Sequence, residues 1–371
     1  WWYLGGAGTD ALSGGAGSDT FIVTALADLF PAETIDGGAN TGGADTLRLD
    51  EAITYGNTLL DGDITGIEVV SLNDDSAPWS LTFADGAYAN ADSNGDDIAD
   101  GTITVSAAIA LTNGVTVVAG TTTNINELVV IGTNLNGNDN ITVGAGTDNI
   151  NTGAGDDTVN ILSTTYAGDT LNGGANTGTG DTLAITGGGT INISAGVSGF
   201  EKVTIDNGAA GNVFTANNET LAITVANGNQ AVTINLGTGN QDVTINLLSG
   251  NDTVNLGAGI NVVDTGGGAD VVTNIGAGDN VSLGADADTA EFSAVAGATI
   301  GGGEGGTDSD TLLINTTVAD MIIDLSLTGA QQVTGAASDW QNFENLDAVA
   351  AGVVDDLTVT ANGSGSTILT G

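Results

Sequence analysis

Gly5-Gly6-Ala7-Gly8-Thr9-Asp10-Ala11-Leu12-Ser13 runs without a break into Gly14-Gly15-Ala16-Gly17-Ser18-Asp19-Thr20-Phe21-Ile22. Both nonapeptides read G-G-x-G-x-D-x-U-x, with U apolar. The glycines permit positive φ and let backbone carbonyls crowd inward. The aspartate closes the turn with a carboxylate oxygen, and the x-U-x that follows reads as a short strand burying one side chain. Looser copies lie at 144–148, 153–157 and 266–270, with a shortened one at Gly276-Ala277-Gly278-Asp279. In several the first glycine is replaced, as in Val143-Gly144 and Thr152-Gly153.

Outward from these turns the chain is short β-branched runs between Gly/Asn/Asp clusters: Thr102-Ile103-Thr104-Val105, Val115-Thr116-Val117-Val118, Leu128-Val129-Val130-Ile131 and Val232-Thr233-Ile234-Asn235-Leu236. That is a strand-and-turn signature. Ile234, Ile245, Val254, Val263, Val272 and Val281 recur every nine residues after a first step of eleven. The spacing predicts a solenoid winding one strand and one tight turn per repeat. Helix formers are scarce; the segment from Asp28 to Glu33 and the stretch from Trp340 to Leu346 are the best candidates for a short helical turn.

A longer period is superimposed. GGANTGGADTL at 37–47 matches GGANTGTGDTL at 173–183, and GGEGGTDSDTL at 302–312 is a third copy. Each precedes a glutamate in a common context: Gly66-Ile67-Glu68, Gly199-Phe200-Glu201, Asn342-Phe343-Glu344. These glutamates suit extra ligands, caps of a neighbouring turn, or polar positions beside a buried side chain. Three modules follow, 1–133, 134–230 and 231–371, the last holding the longest array at 232–290. Trp1-Trp2-Tyr3-Leu4 enters the repeats with no initiator Met, basic n-region or cleavage site, and reads as the start of a processed or truncated piece of a longer chain.

Composition then excludes much. The 371 residues carry 46 acids against Arg48 and Lys202, a formal net charge of −44, with no His and no Cys. Nucleophilic systems built on His or Cys, disulfides and ordinary zinc sites are absent. Two basic residues cannot neutralise a phosphate backbone, so nucleic acid is no partner, and no apolar run is long enough for membrane insertion by a helix. Disorder is argued against by 40% hydrophobic residues and a mean hydropathy of +0.18. Aspartate supplies 37 of the acids, a residue that favours turns and ligates ions there. The expectation is a folded, all-β chain that needs cations.

The tandem nonapeptides resemble the RTX family, the haemolysin-type calcium-binding repeat proteins. The resemblance implies a parallel β-roll, a β-solenoid whose nonapeptide turns hold Ca²⁺ between successive coils, in about three stacked modules. Calcium takes six to eight oxygens at about 2.3–2.6 Å, and carbonyls of one turn with the aspartate of a neighbour can supply them. Ligand positions carried over are Gly6, Gly8, Asp10, Gly15, Gly17, Asp19, Asp36, Asp45, Asp148, Asp157, Asp181, Asp270, Asp279 and Asp310. Asp242 and Asp252 are as consistent with turns that merely continue the solenoid. Asp92-Ser93-Asn94-Gly95-Asp96-Asp97-Ile98-Ala99-Asp100 resembles the EF-hand-like loops of thrombospondin type 3 repeats and dockerins, with Asp92, Asn94, Asp96 and Asp100 as oxygen donors. Position twelve is Ile103, which excludes a full EF-hand. The bland alternative, a metal-free solenoid, explains the glycines but leaves the aspartates repelling one another.

Three functional classes compete. The long segments joining the arrays look most similar to RTX-bearing S-layer proteins and adhesins. That similarity implies a secreted structural protein of the bacterial cell surface, exported by a type I apparatus, whose partner is itself, in a lattice or filament, or a cell-surface polysaccharide. Alternatively the chain is the calcium-binding portion of a secreted enzyme or toxin. It contains no H-E-x-x-H, and Gly196-Val197-Ser198-Gly199-Phe200 fails G-x-S-x-G at its last position. A glycan-active enzyme using paired carboxylates is the third.

Overall fold

The computed structural model describes residues 2–370 apart from 5–7, 26, 28, 30–32, 40–42, 54–57, 60–62, 84–101, 120–126, 194–195, 207–211, 217–221, 228–229, 238–241, 293–296, 315–321, 328–331, 335–338, 349–357 and 362–365. The described residues form an all-β chain without an α-helix, and no helix is long and apolar enough to cross a membrane. The four β-branched runs all fall in strands: Thr102–Ala107, Val115–Val118, Glu127–Ile131 and Val232–Leu236. Trp79–Phe83 buries every second residue, and Thr102–Ala107 does the same. This two-residue period is the one expected of a strand with one face on a core.

The chain packs as two compact units, residues 1–185 with 195–200, and residues 186–194 with 201–371. In the first unit, one parallel sheet runs Trp2–Leu4, Thr20–Val23, Thr46–Leu49, Val69–Leu72, Thr102–Ala107, Glu127–Ile131, Asn149–Asn151, Thr170–Asn172, Val197–Ser198. A second contains Trp79–Phe83, Val115–Val118, Asn140–Thr142 and Thr158–Leu162, and a small third pairs Ala11–Ser13, Thr34–Asp36 and Ile64–Thr65. In the second unit, one sheet includes Val232–Leu236, Thr253–Asn255, Val271–Ile275, Thr289–Phe292, Thr311–Ile314 and Asn345–Ala348. Its counterpart includes Thr244–Asn246, Val262–Asp264, Asn280–Ala285, Thr299–Gly305 and Asp339–Gln341. These strands pair in parallel, whereas Ile322–Asp324 runs antiparallel to Val333–Thr334.

Consecutive strands alternate between sheets, so a nine-residue repeat is half a coil. The register makes the full coil eighteen residues: Thr253 pairs with Val271 and Val271 with Thr289, while Val262 pairs with Asn280. The apolar series read from the sequence therefore separates into two columns. Phe214, Ile234, Val254, Val272, Ala290, Leu312 and Leu346 stack in one sheet. Ile223, Ile245, Val263, Val281, Ile300 and Trp340 stack in the other. All are at most 2% exposed, and each large aliphatic side chain so buried stabilises the fold by about 1.5–3 kcal/mol. Phe292 and Trp340, one from each sheet, meet edge to face at 4.8 Å, so the two inner faces share one core.

The stretch from Trp340 to Leu346 is not helical. It forms Asp339–Gln341 and Asn345–Ala348, with Trp340 stacked on Ile300 and Leu346 on Leu312. Alternate burial and the positive φ of Asn342 (59°) set it as two strands meeting at a corner. Of Asp28–Glu33, residues 28 and 30–32 lie outside the described residues; Leu29 sits buried in a turn. The motif period and the compact units divide the chain differently, since the chain passes between the units after residues 185, 194 and 200, all inside the segment 134–230.

Candidate metal-binding ladders

The repeat acids occupy one place in the coil, directly before the first residue of a strand: Asp19 before Thr20–Val23, Asp45 before Thr46–Leu49, Asp157 before Thr158–Leu162, Asp310 before Thr311–Ile314. A residue so placed has an N–H just short of the sheet's own bonding. The aspartate of the next coil supplies the acceptor.

In the second unit the Val232 N–H donates to Oδ1 of Asp252, Asp252 to Asp270 and Asp270 to Asp288, all at 2.7 Å. Asp288 donates to Asp310 at 2.9 Å, and Asp310 to Oε2 of Glu344 at 2.8 Å. The first unit repeats this from Val115 through Asp139 and Asp157 to Asp181. Shorter ladders run from Leu128 through Asp148 to Asp169, from Asp19 through Asp45 to Glu68, and from Asp10 to Glu33. A return bond completes each step. The Asp252 and Asp270 carbonyls accept the N–H of Val271 and Thr289, the first strand residues of the following coil.

One carboxylate oxygen is thus satisfied; the other is the chemically unusual part. Oδ2 of Asp45, Asp139, Asp169, Asp288 and Asp310 is buried with no hydrogen-bond partner. At Asp157 and Asp270 a threonine, Thr152 or Thr265, replaces the first glycine of the turn. Its hydroxyl proton goes to the carbonyl of Gly173 or Leu283, again leaving Oδ2 without a donor.

Desolvation is the largest influence on these groups, and the ladder hydrogen bond only partly offsets it. It pushes Asp139 and Asp310 up to about 8, Asp169, Asp270 and Asp288 to about 7, and Asp45 and Asp148 to about 6. The charges raising Asp310 further are acids: Asp288, Asp308 and Glu344. An ionised carboxylate buried without a counter-charge costs several kcal/mol. The ladders that hold these unpartnered oxygens therefore call for protons or cations.

The donor set fits a hard divalent cation such as calcium, which takes carboxylate and carbonyl oxygens. At Gly37, a Cβ would collide with the Gly66 carbonyl oxygen and with Oδ2 of Asp45. At Gly302 it would meet the Asn342 carbonyl oxygen and Oδ2 of Asp310. Carbonyl and carboxylate oxygens thus converge where the repeat demands glycine. The residues that would hold ions are Asp45, Asp139, Asp157, Asp169, Asp270, Asp288 and Asp310.

Of the other expected ligands, Gly15 and Gly17 adopt positive φ (91° and 106°), as do Gly266 and Gly268. Asp19, Asp148 and Asp181 are ladder members, at most 2% exposed. Gly8 has a φ of 144° and is exposed, and Asp10 is half-buried. Asp36 is exposed at the end of its strand, outside the ladder, yet close enough for its charge to raise Asp45. Asp279 satisfies itself: Oδ1 accepts from Asn261 and Oδ2 from Gly276 N–H at 2.7 Å. Gly6 and the loop 92–100, with Asp92, Asn94, Asp96 and Asp100, lie outside the described residues.

Asp139, Asp169 and Asp288 are rungs that sequence reading passed over because their turns keep at most one of the motif glycines, Gly137 or Gly284; a step of eighteen from Asp157 or Asp270 finds the first and the last. A second set of contacts was also missed. Oδ1 of Asn138, Asn251 and Asp242 accepts an N–H one coil later, from Asp156, Ala269 and Ile260. In Asn138-Asp139 and Asn251-Asp252, neighbouring side chains therefore reach in opposite directions. Asp156 organises the insertion at 176–180, accepting the N–H groups of Thr177, Gly178, Thr179 and Gly180. Those donors hold its carboxyl down at about 2.

Two of the long-period glutamates, Glu68 and Glu344, end ladders. The Glu68 N–H returns to the Asp45 carbonyl and that of Glu344 to Asp310, both at 3.2 Å. The residue two before each glutamate is left-handed, with φ of 62° at Gly66, 71° at Gly199 and 59° at Asn342. That conformation explains why only Gly or Asn occurs there. In the third copy Asp308, Asp310 and Glu344 bring carboxylate oxygens within 4.8 Å of one another. Comparison with family models, curated proteins and solved structures finds no match.

Proposed function

We propose that this chain is a secreted, calcium-binding structural protein of the bacterial cell surface that assembles with copies of itself and carries no catalytic activity. The observation that carries the reading is the run of buried carboxylate oxygens with no hydrogen-bond partner at Asp270, Asp288 and Asp310, repeated at Asp45, Asp139, Asp157 and Asp169. Calcium would be held by these aspartates and by turn carbonyls, supplying the positive charge that two basic residues among 371 cannot. Arg48 is in any case engaged by Asp50 at 2.7 Å. Ions that bind only the folded chain stabilise it by mass action. The chain then stays unfolded at cytosolic, micromolar calcium and folds outside the cell, where calcium is millimolar. Exposed acids left over, such as Asp36, are available for calcium bridges to a second copy or to an acidic polysaccharide.

The test is circular dichroism and electron microscopy of purified protein across a calcium titration. β signal that appears with calcium, followed by sheets or filaments, supports the reading. Full β signal in excess chelator overturns calcium-dependent folding. A folded, calcium-loaded and dispersed monomer overturns assembly.

A further inference from the structure

The geometry points to a calcium site at the end of the second-unit ladder, where Asp308 from the insertion joins the ladder residues Asp310 and Glu344, that fastens the coil at 302–314 to the coil at 339–348. The inference rests on the calcium reading above and adds one new ligand, Asp308.

The three copies of the long repeat share a sequence motif but differ in charge. The position two before the ladder aspartate is Gly43 in the first copy, Thr179 in the second and Asp308 in the third. Only in the third does the insertion itself contribute a carboxylate. That carboxylate lies with Asp310 and Glu344 in a group whose oxygens are all within 4.8 Å of one another. Opposite ligands of a calcium ion stand about 4.6–5.2 Å apart, twice the Ca–O distance, so this spread matches one shared ion.

A second, independent observation is Asp310 itself. It is 1% exposed, and its Oδ2 accepts no hydrogen bond. A Cβ at Gly302 would strike both Oδ2 and the Asn342 carbonyl oxygen, so the two oxygens lie near one another and a carbonyl ligand is at hand. Glu344 comes from the next coil, thirty-four residues after Asp310. An ion here would add a second tie across the thirty-four-residue step that the Asp310–Glu344 hydrogen bonds already span.

The experiment is calcium stoichiometry of the full chain by equilibrium dialysis at neutral pH, with amide hydrogen exchange across 302–314 and 339–348. The variants are Asp308→Thr and Asp308→Gly, which install the residues of the other two copies and so suit the local backbone. Loss of one ion per chain, or a roughly tenfold weakening of one binding event, with faster exchange in those two segments, is the expected result. Unchanged stoichiometry, affinity and exchange overturn this site while leaving the ladder reading intact. A wild-type chain that binds one ion only, lost in both variants, supports this site and overturns the ladder reading. No binding by the wild type overturns both.

Discussion

The backbone N–H of Asp270 donates to Oδ1 of Asp288, 2.7 Å away and eighteen residues further along the chain. In return the Asp270 carbonyl accepts the N–H of Thr289 at 2.8 Å. The pair joins two coils by two hydrogen bonds and in doing so removes a carboxylate from water. Coil stacking and charge burial are therefore one event here, and most tests of the structure exploit that coupling.

Asp270→Asn keeps the acceptor that Asp252 uses and puts an amide where the unpartnered oxygen stood. At pH 8 the variant should fold at lower calcium than the wild type, and it should gain less from millimolar calcium. Asp270→Ala leaves the buried Asp252 N–H without an acceptor and should fall about 1–3 kcal/mol below the Asn variant in millimolar calcium. Calcium titrations of the β signal, and denaturant titrations in calcium, measure both. Asn261, fully buried in the equivalent place of the opposite sheet, already shows a neutral rung.

Without calcium, the fold should be more stable in acid than in base. The folded values of Asp270 and Asp288, about 7, and of Asp139 and Asp310, about 8, all exceed the ordinary 3.8. Between about pH 4 and 8 the folded chain holds protons that the unfolded chain has released, so stability falls as pH rises through that window. It is fully present below about pH 4. The β signal in calcium-free buffer should be greatest near pH 4 and be lost towards pH 8, and millimolar calcium should flatten or reverse the trend. A calcium-free profile rising with pH contradicts the buried ladder.

Two glycines of the turns should respond differently to alanine. At Gly37 a Cβ would strike the Gly66 carbonyl and Oδ2 of Asp45, so Gly37→Ala should cost about 3 kcal/mol. Nothing lies within 4 Å at Gly15, where only the φ of 91° resists, and Gly15→Ala should cost about 1 kcal/mol. Chemical denaturation in calcium distinguishes them.

Asp156→Ala removes the carboxylate that gathers four N–H groups of the 176–180 insertion. Amide exchange at Thr177, Gly178, Thr179 and Gly180 should accelerate while the Asp139–Asp157–Asp181 ladder keeps its protection. Equal loss in both regions would show that the insertion and the ladder open together.

The coil was legible because two local constraints coincide: a turn that tolerates only glycine, and a single apolar residue two places after its aspartate. Asp19, Asp45 and Asp157 announce themselves in this way, and Phe21, Leu47 and Val159 follow at the buried position. Asp139, Asp169 and Asp288 do not, since an aspartate needs only a strand after it and a rung before it to join the ladder; neighbouring coils, distant in sequence, supply both. The same distance hid the fate of Asp279, whose shortened turn brings Gly276 N–H onto its second oxygen. Trp340 to Leu346 misled because short apolar spacings there satisfy either period, and stacking on Ile300 and Leu312 decides between them.

Winding two repeats per coil gives the molecule a parity. Removing the nine residues 262–270 would send every later strand to the opposite sheet, so that Asp288 and Asp310 would seek rungs on the side now occupied by Asn261 and Asp279. Removing the eighteen residues 253–270 would restore every strand to its own side and leave Asp288 beneath Asp252. The natural unit of gain or loss in this chain is the even number, and insertions of odd count should survive only where no later glutamate or carboxylate cluster depends on which face it reaches.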